Sequence, residues 1–179
     1  MQAIGTGAIE YPITGILGIR GSGKTLLMTA IAYDAHGGND GTISNCTLNE
    51  STITNLNSCF SFNGTTSHVN TNLATNYSVK TLSFVFYLNS SGENNLGRLI
   101  DKGGNFIIYI NSDLHLILQQ SFTTQAGIWR IEGLSLDTWY HVLIIYDNSS
   151  TSNNPVFYLN GSLESTIEYQ TPIGSAVTD

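Results

Sequence analysis

Charge is what this chain has least of. Only 11% of its 179 residues are Asp, Glu, Lys or Arg, against roughly 25% in an average globular chain. Six are basic and thirteen acidic, for a formal net charge of −7, and the basic residues form no cluster. Non-specific binding to nucleic acid needs grouped Lys and Arg to displace counterions from phosphate, so nucleic acid is not an expected partner. An anionic membrane surface is disfavoured for the same reason. Long apolar runs are also lacking. The first ten residues have no basic stretch and include Glu10, and the apolar stretches that follow are broken by Arg20, Gly21 and Lys24. Neither a signal peptide nor a span of about 20 apolar residues can be read, so membrane insertion is not expected. The two cysteines, Cys46 and Cys59, would close a short loop worth roughly 3 kcal/mol if paired, but two thiols do not fix a redox compartment. No Cys/His metal spacing and no Ser/His/Asp arrangement is recognisable.

What is present is enough apolar material for a core, with 41% hydrophobic and 10% aromatic residues, so wholesale disorder is not expected. The polarity comes from Asn, Ser, Thr and Gly instead of charge. That mixture suits exposed strands and turns on extracellular or virion surfaces, and localisation there is the expectation.

The pattern changes character near residues 33–39. Before it, 13–19 is a short apolar run, a glycine-rich turn follows, and 25–33 favours helix: strand, turn, helix. Gly18-Ile19-Arg20-Gly21-Ser22-Gly23-Lys24-Thr25 fits the Walker A spacing. The chemistry would be nucleotide binding: Gly18, Gly21 and Gly23 let backbone N–H groups wrap a phosphate, Lys24 reaches the outer phosphate oxygens, and Thr25 holds Mg²⁺. Residues 13–33 therefore resemble the start of a P-loop NTPase. A working enzyme of that class also needs a parallel sheet and an acidic residue ending a second strand. Val142-Leu143-Ile144-Ile145-Tyr146-Asp147 imitates the latter, but it reads better as a buried sandwich strand running into an Asx turn at Asp147-Asn148.

After residue 38 no stretch looks helical. Short β-rich runs at 59–62, 82–88, 106–110, 114–118, 128–131, 140–146 and 156–159 are separated by turn pairs such as Asn63-Gly64, Gly103-Gly104 and Asn160-Gly161. The expectation is an all-β sandwich over 39–179, with 1–38 as a strand-loop-helix-like extension too short for its own core. Phe60 and Phe62 share one strand face, as do Phe84 and Phe86. Trp139 and Val142 read as core, and His141, on an apolar strand, reads as structural.

Six segments in order carry a resemblance: Asn39-Asp40-Gly41-Thr42; Cys59-Phe60-Ser61-Phe62-Asn63-Gly64, with His68-Val69 shortly after; Leu82-Ser83-Phe84-Val85-Phe86-Tyr87; Arg98-Leu99-Ile100-Asp101-Lys102-Gly103; Asp137-Thr138-Trp139-Tyr140-His141-Val142; and Phe157-Tyr158-Leu159-Asn160-Gly161. Over about 39–174 the chain resembles a laminin-G-like domain of the concanavalin A-like lectin/glucanase superfamily. The resemblance implies a jelly-roll of two antiparallel sheets that binds glycans, glycoproteins or other proteins. Some relatives hold Ca²⁺ at the rim. Calcium is therefore a candidate cofactor, with Asp101, Asp113 and Asp137 as oxygen ligands, although they read better as solvated turn carboxylates because no dense Asp/Asn loop appears.

The superfamily also contains glucanases, whose catalytic strand carries Glu-x-Asp-x-x-Glu. That triplet is absent here, and Glu164 and Glu168 read as a solvated edge pair, so no catalytic residues are expected. Family members usually run on past the hairpin at Asn160-Gly161 into closing strands, so an unpaired edge and self-association through it are expected.

The leading functional expectation is a non-catalytic recognition module. Trp129, Tyr109 and Tyr169 are candidate aromatic platforms for a glycan. Nucleotide binding through Lys24 and Thr25, and a structural coat or filament role, are the readings from other classes. Sequons occur at Asn63, Asn76, Asn89, Asn148 and Asn160.

Overall fold

A computed structural model describes residues 26–29, 42–50, 58–64, 66–70, 78–92 and 96–177. Among them every regular element is a strand: β1 Leu26–Thr29, β2 Thr42–Ser44, β3 Thr47–Glu50, β4 Ser58–Phe62, β5 His68–Asn70, β6 Val79–Leu88, β7 Leu96–Lys102, β8 Phe106–Asn111, β9 Leu116–Gln120, β10 Gly127–Ile131, β11 Thr138–Asp147, β12 Val156–Leu159, β13 Ser162–Leu163 and β14 Ile167–Gln170. They form a seven-stranded sheet in the order β13-β12-β11-β6-β1-β4-β3, a five-stranded sheet in the order β14-β10-β9-β8-β7, and the small pair β2-β5. All pairings are antiparallel. The expected sandwich is present.

Strict alternation builds the core. On β11, Tyr140, Val142, Ile144 and Tyr146 are buried and the residues between them are more exposed; β6 does the same with Phe84, Phe86 and Leu88. These side chains meet Ile108, Ile110, Leu116, Leu118, Trp129 and Ile131 from the five-stranded sheet in one cluster. Trp129 is fully buried. Its ring lies 5.2 Å from that of Tyr146 on the opposite sheet, and its indole Nε1–H donates to Asn154 Oδ1 at 2.7 Å. Such an aromatic pair adds about 0.5–1.5 kcal/mol beyond its burial. The indole lies over its neighbour Gly127, where an added Cβ would sit 2.2 Å from Trp129 Cη2.

At one end of the sandwich a polar group closes the core. Gln120 is buried, and its Nε2 lies within hydrogen-bonding distance of the carbonyls of Asn105, Ser121 and Val177. The Asn148 amide is 3.1 Å from Gln120 Oε1 and 2.9 Å from Lys80 Nζ. Burial, and then Lys102 nearby, push the Lys80 ammonium below its ordinary pKa. The segment after β14 returns here: isolated bridges join Phe122 to Ala176 and Gln125 to Ile173, and the N–H groups of Thr123, Thr124 and Gln125 donate to carbonyls of Ser175 and Ile173.

Several expectations are corrected. Residues 26–29, expected within a helix at 25–33, form β1, with Leu27 opposite Ser61 on one side and Tyr87 on the other. A helix of some nine residues is marginal alone, whereas a strand here gains ladder partners on both sides. Trp139 is not core. Residues 139 and 142 differ by an odd step on one strand, so only Val142 faces inward. Asn63-Gly64 does not close a hairpin, because β4 pairs with β1 and β3 while β5 pairs with β2. Asn63 Oδ1 instead accepts from the N–H groups of Thr66 and Ser67. Leu114, expected at the start of a strand, has φ +59° and sits in the turn before β9. Cys46 and Cys59 are both free thiols. Asn160-Gly161 does form the expected turn, with φ +52° and +84°. Asp147 accepts from Ser149 N–H at 2.9 Å, the Asx turn read from the sequence.

Two outcomes follow from the core. Gly127→Ala drives a methyl group into the Trp129 ring and is expected to cost about 1–3 kcal/mol, read as a lower urea midpoint. The buried Tyr140 hydroxyl accepts from Ser135 N–H at 2.7 Å, but the Tyr146 hydroxyl has no partner among the described residues. Tyr146→Phe is therefore expected to raise stability at pH 7 by about 1 kcal/mol, while Tyr140→Phe lowers it. Burial, and then Asp147, push the Tyr146 phenol above its ordinary pKa. Above about pH 10 the unfolded chain releases this proton while the folded one keeps it, so the wild type loses stability as pH rises. The Phe variant lacks this contribution, and denaturation at pH 7 and 11 checks both signs.

Candidate functional site

The outward face of the five-stranded sheet sets charged and aromatic side chains among isoleucines. The register places Arg98, Tyr109, Ile117, Arg130 and Ile167 in one row across β7, β8, β9, β10 and β14. Asp101, Ile107, Gln119, Ile128 and Gln170 form the next row. Arg98 and Asp101 are three residues apart and would lie on opposite faces of a regular strand. An irregularity between Arg98 and Ile100 inserts the buried Leu99, which returns Asp101 to the outer side. There the Arg98 guanidinium pairs with the Asp101 carboxylate, whose Oδ1 also accepts from Gly104 N–H at 2.9 Å.

A second irregularity, on the β10–β14 pairing between Ile128 and Trp129, leaves Tyr169 68% exposed. Arg130 lies 5.5 Å from the Tyr169 ring centroid and pairs with Glu132 at 2.9 Å. His115 Nε2 is 3.8 Å from the same carboxylate oxygen. Burial, and then Tyr169, push the Tyr109 phenol above its ordinary range. Two buried nitrogens at this face, Arg130 Nε and His115 Nδ1, have no hydrogen-bond partner among the described residues. Buried polar atoms are normally satisfied, so an ordered internal water is expected beside each of them. Between Tyr109 on β8 and Tyr169 on β14 lie three strand spacings, about 14 Å. The two phenols and the arginine edge between them suit an extended, hydroxyl-bearing ligand.

Of the three candidate aromatic platforms, the structure brings Tyr109 and Tyr169 to this face and removes Trp129 to the core. The flanking Trp129 and Arg130 point opposite ways because consecutive strand residues must. Arg98, Arg130, His115 and Glu132 were not among the candidates. Parity with Tyr109 could have found Arg130 once the strand partners were known, but nothing in the sequence gives the partners. Gly18, Gly21, Gly23, Lys24 and Thr25 lie outside the described residues. Asp101, Asp113 and Asp137 occupy three separate places: the end of β7, the β8–β9 turn and the turn entering β11. Asp137 accepts from the Tyr87 hydroxyl at 3.5 Å. No group of three His, Cys, Asp or Glu that could hold a metal ion occurs among the described residues. Glu164 lies in the connection after β13, and Glu168, on β14, accepts from Thr171. His141 is exposed, with Nε2 2.9 Å from Ser83 Oγ. Among the sequons, Asn63 and Asn160 are exposed and Asn148 is buried.

No helix among the described residues is long and apolar enough to cross a membrane. Comparison with curated proteins gives no match, and neither does comparison with solved structures. A laminin G family model, described as concanavalin A-like lectin/glucanases superfamily, matches residues 63–179. Laminin G-like domains are generally binding modules, typically extracellular or surface-exposed, and commonly take glycans or proteins. With well over half of its residues matched on an antiparallel sandwich, the chain belongs to the laminin G-like family of the concanavalin A-like lectin/glucanase superfamily.

Proposed function

We propose that this chain is a non-catalytic recognition module, displayed on a cell or particle surface, that binds carbohydrate across the outer face of its five-stranded sheet. The observation that carries the reading is the row holding Tyr109 and Arg130 with Tyr169 beside it, its ring 68% exposed and 5.5 Å from the Arg130 guanidinium. Sugars combine apolar C–H faces, which stack on aromatic rings, with hydroxyls that satisfy fixed donors and acceptors. The two carboxylates of the face, Asp101 and Glu132, are each held by an arginine. That arrangement orients the face and leaves neither acid opposite a second one, as hydrolysis of a glycosidic bond would need.

A glycan array followed by calorimetry tests the reading. A carbohydrate ligand is expected, with Tyr169→Ala lowering its affinity about tenfold. Thermal stability should be unchanged, because this side chain is mostly in solvent. A bound glycan whose affinity ignores both Tyr169→Ala and Tyr109→Ala would place the site elsewhere. Cleavage of a glycan during the assay would overturn the non-catalytic part.

A further inference from the structure

The turn between β12 and β13 is Asn160-Gly161, and the loop after β4 holds the same dipeptide at Asn63-Gly64. In such a pair the missing Cβ of glycine leaves the carboxamide carbon of the asparagine open to attack by the next backbone nitrogen. The two pairs are held very differently. Asn63 Oδ1 accepts from Thr66 N–H and from Ser67 N–H, each at 3.0 Å, and its Nδ2 donates to Thr66 Oγ1 at 3.0 Å. Gly64 is buried. At the other pair one bond holds the carboxamide, from His141 N–H to Asn160 Oδ1 at 2.9 Å. Asn160 and Gly161 are both exposed, and the Gly161 N–H makes no hydrogen bond among the described residues.

We propose that Asn160 is the site at which this chain spontaneously deamidates and isomerises to isoaspartate. The step needs no enzyme. The Gly161 nitrogen gives up its proton and bonds to Asn160 Cγ, the Cγ–Nδ2 bond breaks, and Nδ2 leaves as ammonia with a proton returned to it. Water then opens the five-membered imide at one of its two carbonyls. One opening gives aspartate, and the other reroutes the main chain through the side chain as isoaspartate. The ring holds the torsion between the two residues away from that of a tight left-handed turn, here at φ +52° and +84°, so the hairpin must open locally first. The neighbouring strand makes that easy. β13 is only Ser162 and Leu163, both exposed, at the edge of the seven-stranded sheet. Elements with few buried apolar contacts open at the lowest free energy. At Asn63 the three side-chain bonds have to break as well.

The product alters the edge of the sheet. Isoaspartate puts an extra methylene into the main chain of a two-residue loop, and the length of such a loop sets the register of the strands it joins. The pairs Tyr158–Leu163 and Leu159–Ser162 depend on that register, as does the bond from Glu164 N–H to the Phe157 carbonyl at 2.9 Å. All three should be lost. Aspartate keeps the length of the main chain and an oxygen for His141 N–H, so it should preserve them. Without β13, β12 becomes the edge strand with unpaired backbone groups. Tyr109, Arg130 and Tyr169 take no part in the step, so the inference stands apart from the sugar reading.

Peptide mapping of the folded full chain during prolonged incubation in mildly alkaline buffer tests the inference, with fragmentation that separates isoaspartate from aspartate. Isoaspartate should accumulate at residue 160 about tenfold faster than at residue 63, on account of the two further bonds that hold the Asn63 carboxamide. The ratio should collapse in concentrated urea, because each asparagine is followed by glycine. Hydrogen exchange reads the consequence: the Glu164 N–H should stay protected in Asn160→Asp and lose its protection in the purified isoaspartyl form. Equal rates in the folded chain, or faster reaction at residue 63, would overturn the inference. So would a ratio that urea leaves unchanged, or a folded chain that stays unmodified while the urea sample reacts. Protection retained at Glu164 in the isoaspartyl form would overturn its structural half.

Discussion

The structure depends on one side chain that has to satisfy two opposed demands. Trp129 is the largest group in the core, and it carries a polar N–H that cannot be left dry. Its burial is workable because Gly127 makes room for the ring, Tyr146 supplies an aromatic neighbour from the other sheet, and Asn154 accepts the indole proton. Those three partners come from β10 itself, from β11, and from the loop between β11 and β12. The two sheets are thus fixed relative to each other at a point where apolar packing and a directional bond coincide. Most of the remaining core is aliphatic or phenylalanine, whose contacts include no directional bond. The indole does not.

Once the sheets are fixed, alternation decides what each outer face becomes. Every strand sends half its residues out, and the departures from alternation matter most. The irregularity in β7 returns Asp101 to the same side as Arg98, and the one between β10 and β14 sets Tyr169 beside Arg130. Both lie on the five-stranded sheet and bring ion pairs and an exposed tyrosine to an exterior that also carries Ile107, Ile117, Ile128 and Ile167. On the seven-stranded sheet β6 and β11 pair over ten residues without a break, and the apolar residues on their outer positions stay in line with those of β12 and β13. Among the described residues, the sugar face proposed above is the exterior on which breaks in pairing have rearranged the outer side chains.

The sequence made the long alternating strands legible because their periodicity comes from burial on one side. β6, β8, β10, β11 and β12 fall where the pattern places them, within a few residues. It did not reveal β7, whose alternation is interrupted at Leu99, or β2, β3, β5, β13 and β14, which are too short or too polar to show a period. It misplaced Trp139 because an aromatic residue on an apolar strand looks like core until parity is counted. It read 25–33 as helix because local preference is visible in a sequence and the two strands that flank β1 are not. At the candidate site, Tyr109 and Tyr169 could be nominated by residue type. Arg98, Arg130, His115 and Glu132 could not, because their proximity is made by registers between strands far apart in the chain.

The return of the last segment to the β9–β10 connection bears on how the chain is made. The N–H groups of Thr123, Thr124 and Gln125 find their acceptors at Ile173 and Ser175, about fifty residues later. During synthesis at roughly 5–20 residues per second, those donors wait some 3–10 s for their partners. For most of that interval the five-stranded sheet has no β14, and its outer rows lack Ile167 and Gln170. The face proposed for sugar is therefore completed only when the last segment has been made.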